Sequence, residues 1–213
     1  MTATVVRPLM RGWLHRGAFV VAVPALVILA FSVHGAEARA AGIVYGLGVC
    51  ALYGVSGSYH RPRWSAVARE RLKRADHGTI FVMIAATYTP LCLFAVRGAL
   101  GTSLLVGVWV AAAAGFLLAV FGIAQRRLVG FALYLALGWL ACIVFPAVLH
   151  RGAGPALLMA AGGLVYTLGA VTLASRWPDP FPKVFGYHEV WHLMVIAAST
   201  CHWFLIYGIL HGA

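Results

Sequence analysis

The sequence predicts an all-α integral membrane protein, a bundle of seven transmembrane helices with the N-terminus in the cytoplasm and the C-terminus outside. Three observations lead there. First, 62% of the 213 residues are hydrophobic and only 10% are charged, with a mean hydropathy of +0.91. A soluble domain of this length could not keep that much apolar surface from water. Second, the apolar residues fall into seven runs of about 19–24 residues, enough to cross a hydrocarbon core about 30 Å thick. Third, Lys and Arg are distributed unequally between alternate connections, which sets the orientation.

The first run, Gly17 to Gly35, follows Arg7, Arg11 and Arg16 as a signal peptide would. It is long enough to span, and no small-residue cleavage site follows a short core, so it is expected to remain as the first helix. The others are Ala40 to Tyr59, Gly78 to Val96, Thr102 to Ala124, Val129 to Leu149, Ala153 to Ala174 and Tyr187 to Leu210. Connections are short except His60 to His77 and Ser175 to Gly186, and residues 1–213 read as a single domain.

One set of connections holds Arg7, Arg11 and Arg16, then Arg61, Arg63, Arg69, Arg71, Lys73 and Arg74, then Arg126 and Arg127, then Arg176 and Lys183. The alternate set holds only Arg39, Arg97 and Arg151. The richer set is therefore cytoplasmic. The net charge of +11 fits basic loops meeting anionic membrane lipids. It does not indicate nucleic acid, because no basic segment is long or interleaved with aromatics. The four cysteines (Cys50, Cys92, Cys142, Cys201) lie in apolar runs without C-x-x-C spacing, and are expected to pack as small hydrophobes. Gly162-Gly163 and the run Ala111 to Ala114 point to close helix packing.

Ionisable groups within spans are costly and mark function. His60 closes the second span, Asp76 and His77 open the third, and His188 and His192 occupy the first two turns of the seventh. The topology brings all of them to one depth of the cytoplasmic leaflet, as a metal site requires. His188 and His192 are one turn apart and share a face, and Ser56 and His60 repeat that relation. Three imidazoles with an acidic neighbour leave a fourth position for water, the pattern of catalytic zinc. Such a water has a pKa near 7 and yields hydroxide at neutral pH.

His15, His34, His150 and His211 sit at span ends and are expected to have no role in the site. His77 reads as an outer or interfacial group. His202 lies ten residues beyond His192, about 15 Å along the axis, too far to share its ion. It is expected in a separate polar network with Tyr88, Thr87 or Ser199, or simply buried and hydrogen bonded. His188-Glu189-Val190-Trp191-His192 also reads as H-E-x-x-H, the zincin signature with a glutamate base. The pattern is more specific for zinc than for proteolysis.

Three segments together resemble the bacterial hemolysin III family. They are Ser56-Gly57-Ser58-Tyr59-His60; Ala75-Asp76-His77-Gly78 with the later Thr87-Tyr88-Thr89-Pro90; and Phe185-Gly186-Tyr187-His188-Glu189-Val190-Trp191-His192 with Cys201-His202. That family belongs to the progestin and adipoQ receptor group, which includes the adiponectin receptors and is distantly similar to alkaline ceramidases. The resemblance covers essentially the whole chain. It implies zinc near the cytoplasmic face held by His60, His188 and His192, with Asp76 hydrogen-bonding the metal's water and Ser56 beside it. It also implies no required acid after His188, against a zincin role for Glu189. Gly57-Ser58-Tyr59 departs from the bulkier residues common in relatives, a change expected to loosen local packing.

Four functions follow as alternatives. A zinc-dependent hydrolase of lipid amides or esters would take its substrate from the bilayer, with Asp76 acting on water and Ser56 on the oxyanion. A non-enzymatic sensor would use zinc to tie helices together. A cytolytic pore and an intramembrane protease fit less well. The expected partners are membrane lipids, and the expected location is the bacterial plasma membrane.

Overall fold

In a computed structural model, which describes residues 8–61 and 64–212, the chain is all-helical. Arg7 and Arg63, counted above among the basic residues, lie outside the described residues. The helices are α1 (Trp13–Ser32), α2 (Ala36–Tyr59), α3 (Ala66–Pro90), α4 (Gly98–Val120), α5 (Arg127–Trp139), α6 (Ala141–Leu149), α7 (Ala153–Ser175) and α8 (Tyr187–His211). A π-helical turn, Leu91–Val96, extends α3. Seven segments are long and apolar enough to cross a membrane, because α3 continues through the π turn and α5 with α6 form one span, Leu128–Leu149. These are the seven predicted spans, with ends shifted by a few residues everywhere but at the start of the third.

The largest shift is at α3. The segment read as a connection from His60 to His77 is helical from Ala66 onward. Ser65 caps it, its side chain accepting from the Ala68 amide at 3.2 Å, and Glu70 pairs one turn along with Arg74. Hydropathy finds only the part of a helix that lipid surrounds, so this polar extension was invisible to it. Asp76 therefore sits inside a continuous helix, not at a helix start.

Two irregularities have local causes. Pro90 contributes no amide hydrogen and crowds the preceding turn, and α3 widens there into the π turn. The fifth span breaks at Leu140, where the Tyr88 hydroxyl lies 3.1 Å from the Leu137 carbonyl and 2.9 Å from that of Gly138. A side chain inserted at a helix's own carbonyls bends it.

α2 and α3 are the most buried spans, whereas α1, α4 and α5 keep apolar residues such as Val20, Phe31, Val110 and Leu128 on the outer surface. Those side chains need no cover where the solvent is lipid. One end of the bundle gathers the start of α1, the end of α2 and the start of α8. Leu9 and Met10 amides bond the Lys183 and Val184 carbonyls at 3.1 and 3.0 Å, and Arg16 Nε donates to the Gly57 carbonyl at 3.2 Å. Gly57 does not loosen this region as expected: a Cβ there would lie 3.0 Å from Arg16 Cγ, so the small residue admits the incoming chain. The cysteines are free.

Candidate metal centre

The site forms at that basic end. His60 caps α2, its amide bonded to the Ser56 carbonyl, and is 6% exposed. His188 and His192, on consecutive turns of α8, face it; His192 is 2% exposed. Ring centroids are 4.9 Å apart for His60–His188, 5.1 Å for His60–His192 and 4.5 Å for His188–His192. One nitrogen from each lies within 4.8 Å of the other two, a group that could hold a metal ion.

The donor geometry fits such an ion. His188 Nε2 and His60 Nε2 are 3.2 Å apart. Two imidazoles on one tetrahedral zinc, each about 2.0–2.1 Å away, place their nitrogens about 3.3–3.4 Å apart. Facing lone pairs at that distance repel unless a proton or a cation stands between them. Asp76 and Glu189 contribute no atom to the group. The Asp76 carboxylate instead lies beside the Ser56 side chain, and both residues face the same space as His188 and His192.

That space is a cavity of about 620 Å³, with Ser56, Asp76, His188 and His192 in its wall at one end and Tyr166 and His202 further in. Most of the remaining wall is apolar and comes from α3, α5, α6 and α7. Trp139 on α5 and Leu164 on α7 line it while being 52% and 56% exposed, which marks an opening between these helices toward the lipid-facing surface.

Motif order, span order and this cluster agree with the sequence comparison. The profile of the family described as Haemolysin-III related matches residues 3–203. The chain belongs to this family. Hemolysin-3 of Bacillus cereus is 32% identical over 195 residues, 88% of this chain and 84% of that protein. A hemolysin-3 homolog of Bacillus subtilis (strain 168) is 34% identical over 140 residues, 65% of this chain and 62% of the homolog. The monocyte to macrophage differentiation factor of Homo sapiens is 29% identical over 175 residues, 79% of this chain and 69% of its own, and links the chain to the progestin and adipoQ receptor group.

Within this haemolysin-III-related chain, Glu189 faces elsewhere. It is fully buried, forms an ion pair with Arg11, and accepts the Gly186 amide at 2.9 Å as the cap of α8. A zincin base must face the metal's water; this carboxylate is committed to holding the start of α1 against the start of α8. Gly12 makes that crossing possible: its φ of 82° suits glycine, and a Cβ there would lie 2.5 Å from His60 Cβ.

His15 requires a correction. Expected to have no role in the site, it is 3% exposed, stacks on His192 at 3.8 Å and tilts against Tyr53 at 5.0 Å. It is the third residue of α1 and lies level with His192 on α8, so the depth argument applied to α1 would have found it. Arg11 was likewise counted only as a charge. His77 lines the cavity beside Asp76, its Nδ1 2.9 Å from the Lys73 carbonyl. His202 joins none of the partners expected for it. Ser199 bonds Tyr53 and the Ile196 carbonyl, Tyr88 bonds α5, and Thr87 bonds Met83. His202 instead packs beside Tyr166, where a Cβ on Gly162 would come within 2.5 Å of its ring.

Proposed function

We propose that this protein is a zinc-dependent hydrolase of lipid amide or ester bonds in the bacterial plasma membrane, with the basic end of the bundle in the cytoplasm. The reading is carried by one juxtaposition: a three-histidine group and a carboxylate beside a serine open into an apolar cavity that itself opens toward lipid. His60, His188 and His192 would hold the ion. When bound there, zinc supplies a nucleophilic water near neutral pH and polarises a carbonyl. Asp76 takes the proton that this water gives up and returns it to the departing amine or alkoxide, so that water adds across the cleaved bond. Ser56, beside the Asp76 carboxylate, stands ready to donate its one hydroxyl proton to the oxygen that gains charge. The opening between α5 and α7 admits an acyl chain, and the apolar wall keeps it.

The test presents zinc-loaded, detergent-solubilised protein with N-acyl amides and phospholipid esters and follows fatty-acid release. Asp76→Asn should keep its zinc and lose cleavage, because the amide cannot take the water's proton. Ser56→Ala should lower turnover on the order of a hundredfold, the cost of one donor to the oxyanion. If the zinc-loaded wild type cleaves neither class, the hydrolase reading fails, and the metal is left as a tie between α2 and α8.

A further inference from the structure

His15 is the imidazole that packs directly on the three-histidine group without being part of it. Neither of its nitrogens has a hydrogen-bond partner among the described residues; the His192 backbone runs alongside without acceptable geometry. The ring is nevertheless 97% buried by its 3% exposure, and it forms part of the cavity wall with Ser56, Asp76, His188 and His192. An unpartnered polar group in such a place costs on the order of 1–3 kcal/mol, so its retention calls for a use.

A fourth ligand to the same ion is excluded by the stack. The His15 and His192 planes lie within 11° of parallel, with centroids 3.8 Å apart. An imidazole binds a metal in the plane of its ring, through a nitrogen lone pair. An ion in the His192 plane therefore lies several ångströms off the His15 plane, out of reach of its lone pairs. Its face holds the His192 ring, and its edge is left for something else in the cavity.

We propose that His15 is a substrate-binding residue: its ring edge hydrogen-bonds the polar head of a lipid whose acyl chain lies in the cavity, while its face fixes the plane of His192. The proposal rests on the lipid reading of the site given above. A neutral imidazole offers one donor and one acceptor, which suits a head carrying carbonyl or carboxylate oxygens beside the metal position. Tyr53, tilted against the ring at 5.0 Å and bonded through its hydroxyl to Ser199, restricts its turning.

The test measures palmitate binding to zinc-loaded protein, with zinc content and turnover followed in parallel. His15→Phe keeps an aromatic ring on His192 and removes both nitrogens. It should retain wild-type zinc and bind palmitate roughly 10- to 100-fold more weakly, the loss of a hydrogen bond to a charged group. His15→Gln, which restores a donor and an acceptor, should recover part of that loss. If hydrolysis occurs, the defect should appear in KM at least as strongly as in kcat. Equal palmitate affinity in the wild type and His15→Phe overturns the proposal, as does loss of zinc in His15→Phe, which would make the residue purely a support for His192. Tight, His15-dependent palmitate binding without any turnover would sink the hydrolase reading and leave the binding role standing. A wild type that binds no palmitate overturns both.

Discussion

Glu189→Gln separates the two chemistries that H-E-x-x-H could serve. One carboxylate oxygen pairs with Arg11 Nε and the other accepts the Gly186 amide at 2.9 Å, with the glutamate wholly buried. Glutamine has the same length and keeps one carbonyl oxygen, so a single acceptor survives while the charge goes. A hydrogen bond to a charged group contributes about 1.5–3 kcal/mol and a neutral one about 0.5–1.5 kcal/mol. Orphaning a buried charge adds to this, up to about 3–5 kcal/mol for a fully desolvated pair. The Arg11 side chain is 19% exposed and retains some solvation, which places the expected cost below that limit, at about 2–3 kcal/mol. At about 2–4 °C per kcal/mol for a chain this long, thermal unfolding in detergent should move down by roughly 4–12 °C. Zinc content and turnover per folded molecule should not change, because neither oxygen faces the three histidines. Adding Arg11→Met should cost less than the sum of the two single changes, since the charge left alone by the first is removed by the second. Collapse of turnover with an unchanged melting temperature would refute the reasoning and return Glu189 to the role of general base.

Two further outcomes are expected. Purified protein should carry about one zinc, as a single open site does; His192→Ala should lose most of it, and His202→Ala should keep it. Full occupancy in His192→Ala, or equal loss in both, would show that the ligands are misassigned. A reporter fused after Ala213 should be external and one inserted between His60 and Asp76 internal, as thirteen basic residues against three require. Opposite labelling at both positions would refute the orientation.

The number and order of spans were legible because hydropathy is a local property: each run of lipid length stands out without knowledge of its neighbours. His60, His188 and His192 were legible for a related reason. Alternating spans fix which end of each helix meets which, so polar residues at equal depth could be brought together from sequence alone. What stayed hidden depends on lateral neighbours. Hydropathy cannot say that the polar stretch from Ala66 to Arg74 is helical, because nothing in that stretch is apolar enough to register. Nor does spacing say that Glu189 turns toward Arg11. H-E-x-x-H puts the glutamate one residue from a ligand, about 100° around the helix, and which neighbour it then meets is decided by how α1 arrives.

The arrival of α1 also explains why the metal-competent end is built as it is. Three histidines from α2 and α8 have no covalent reason to remain together, and lipid supplies no hydrophobic force between helices. The start of α1 and the residues just before it supply the missing constraint through contacts made between Leu9 and His15. Leu9 and Met10 pair with the backbone before α8, Arg11 pairs with Glu189, Gly12 passes against His60, and His15 stacks on His192. Arg16 then bonds the last turn of α2 at Gly57. Beyond the backbone pairs of Leu9 and Met10, each contact touches a ligand histidine or the turn that carries one. A change at one of them should therefore loosen the seating of α1 before it parts the ligands, because α2 and α8 also meet further along, where the Tyr45 and Tyr53 hydroxyls reach Ser199. On this argument the acid after His188 and the small residues at Gly12 and Gly57 serve the same end, which is to hold one short segment of α1 across the site.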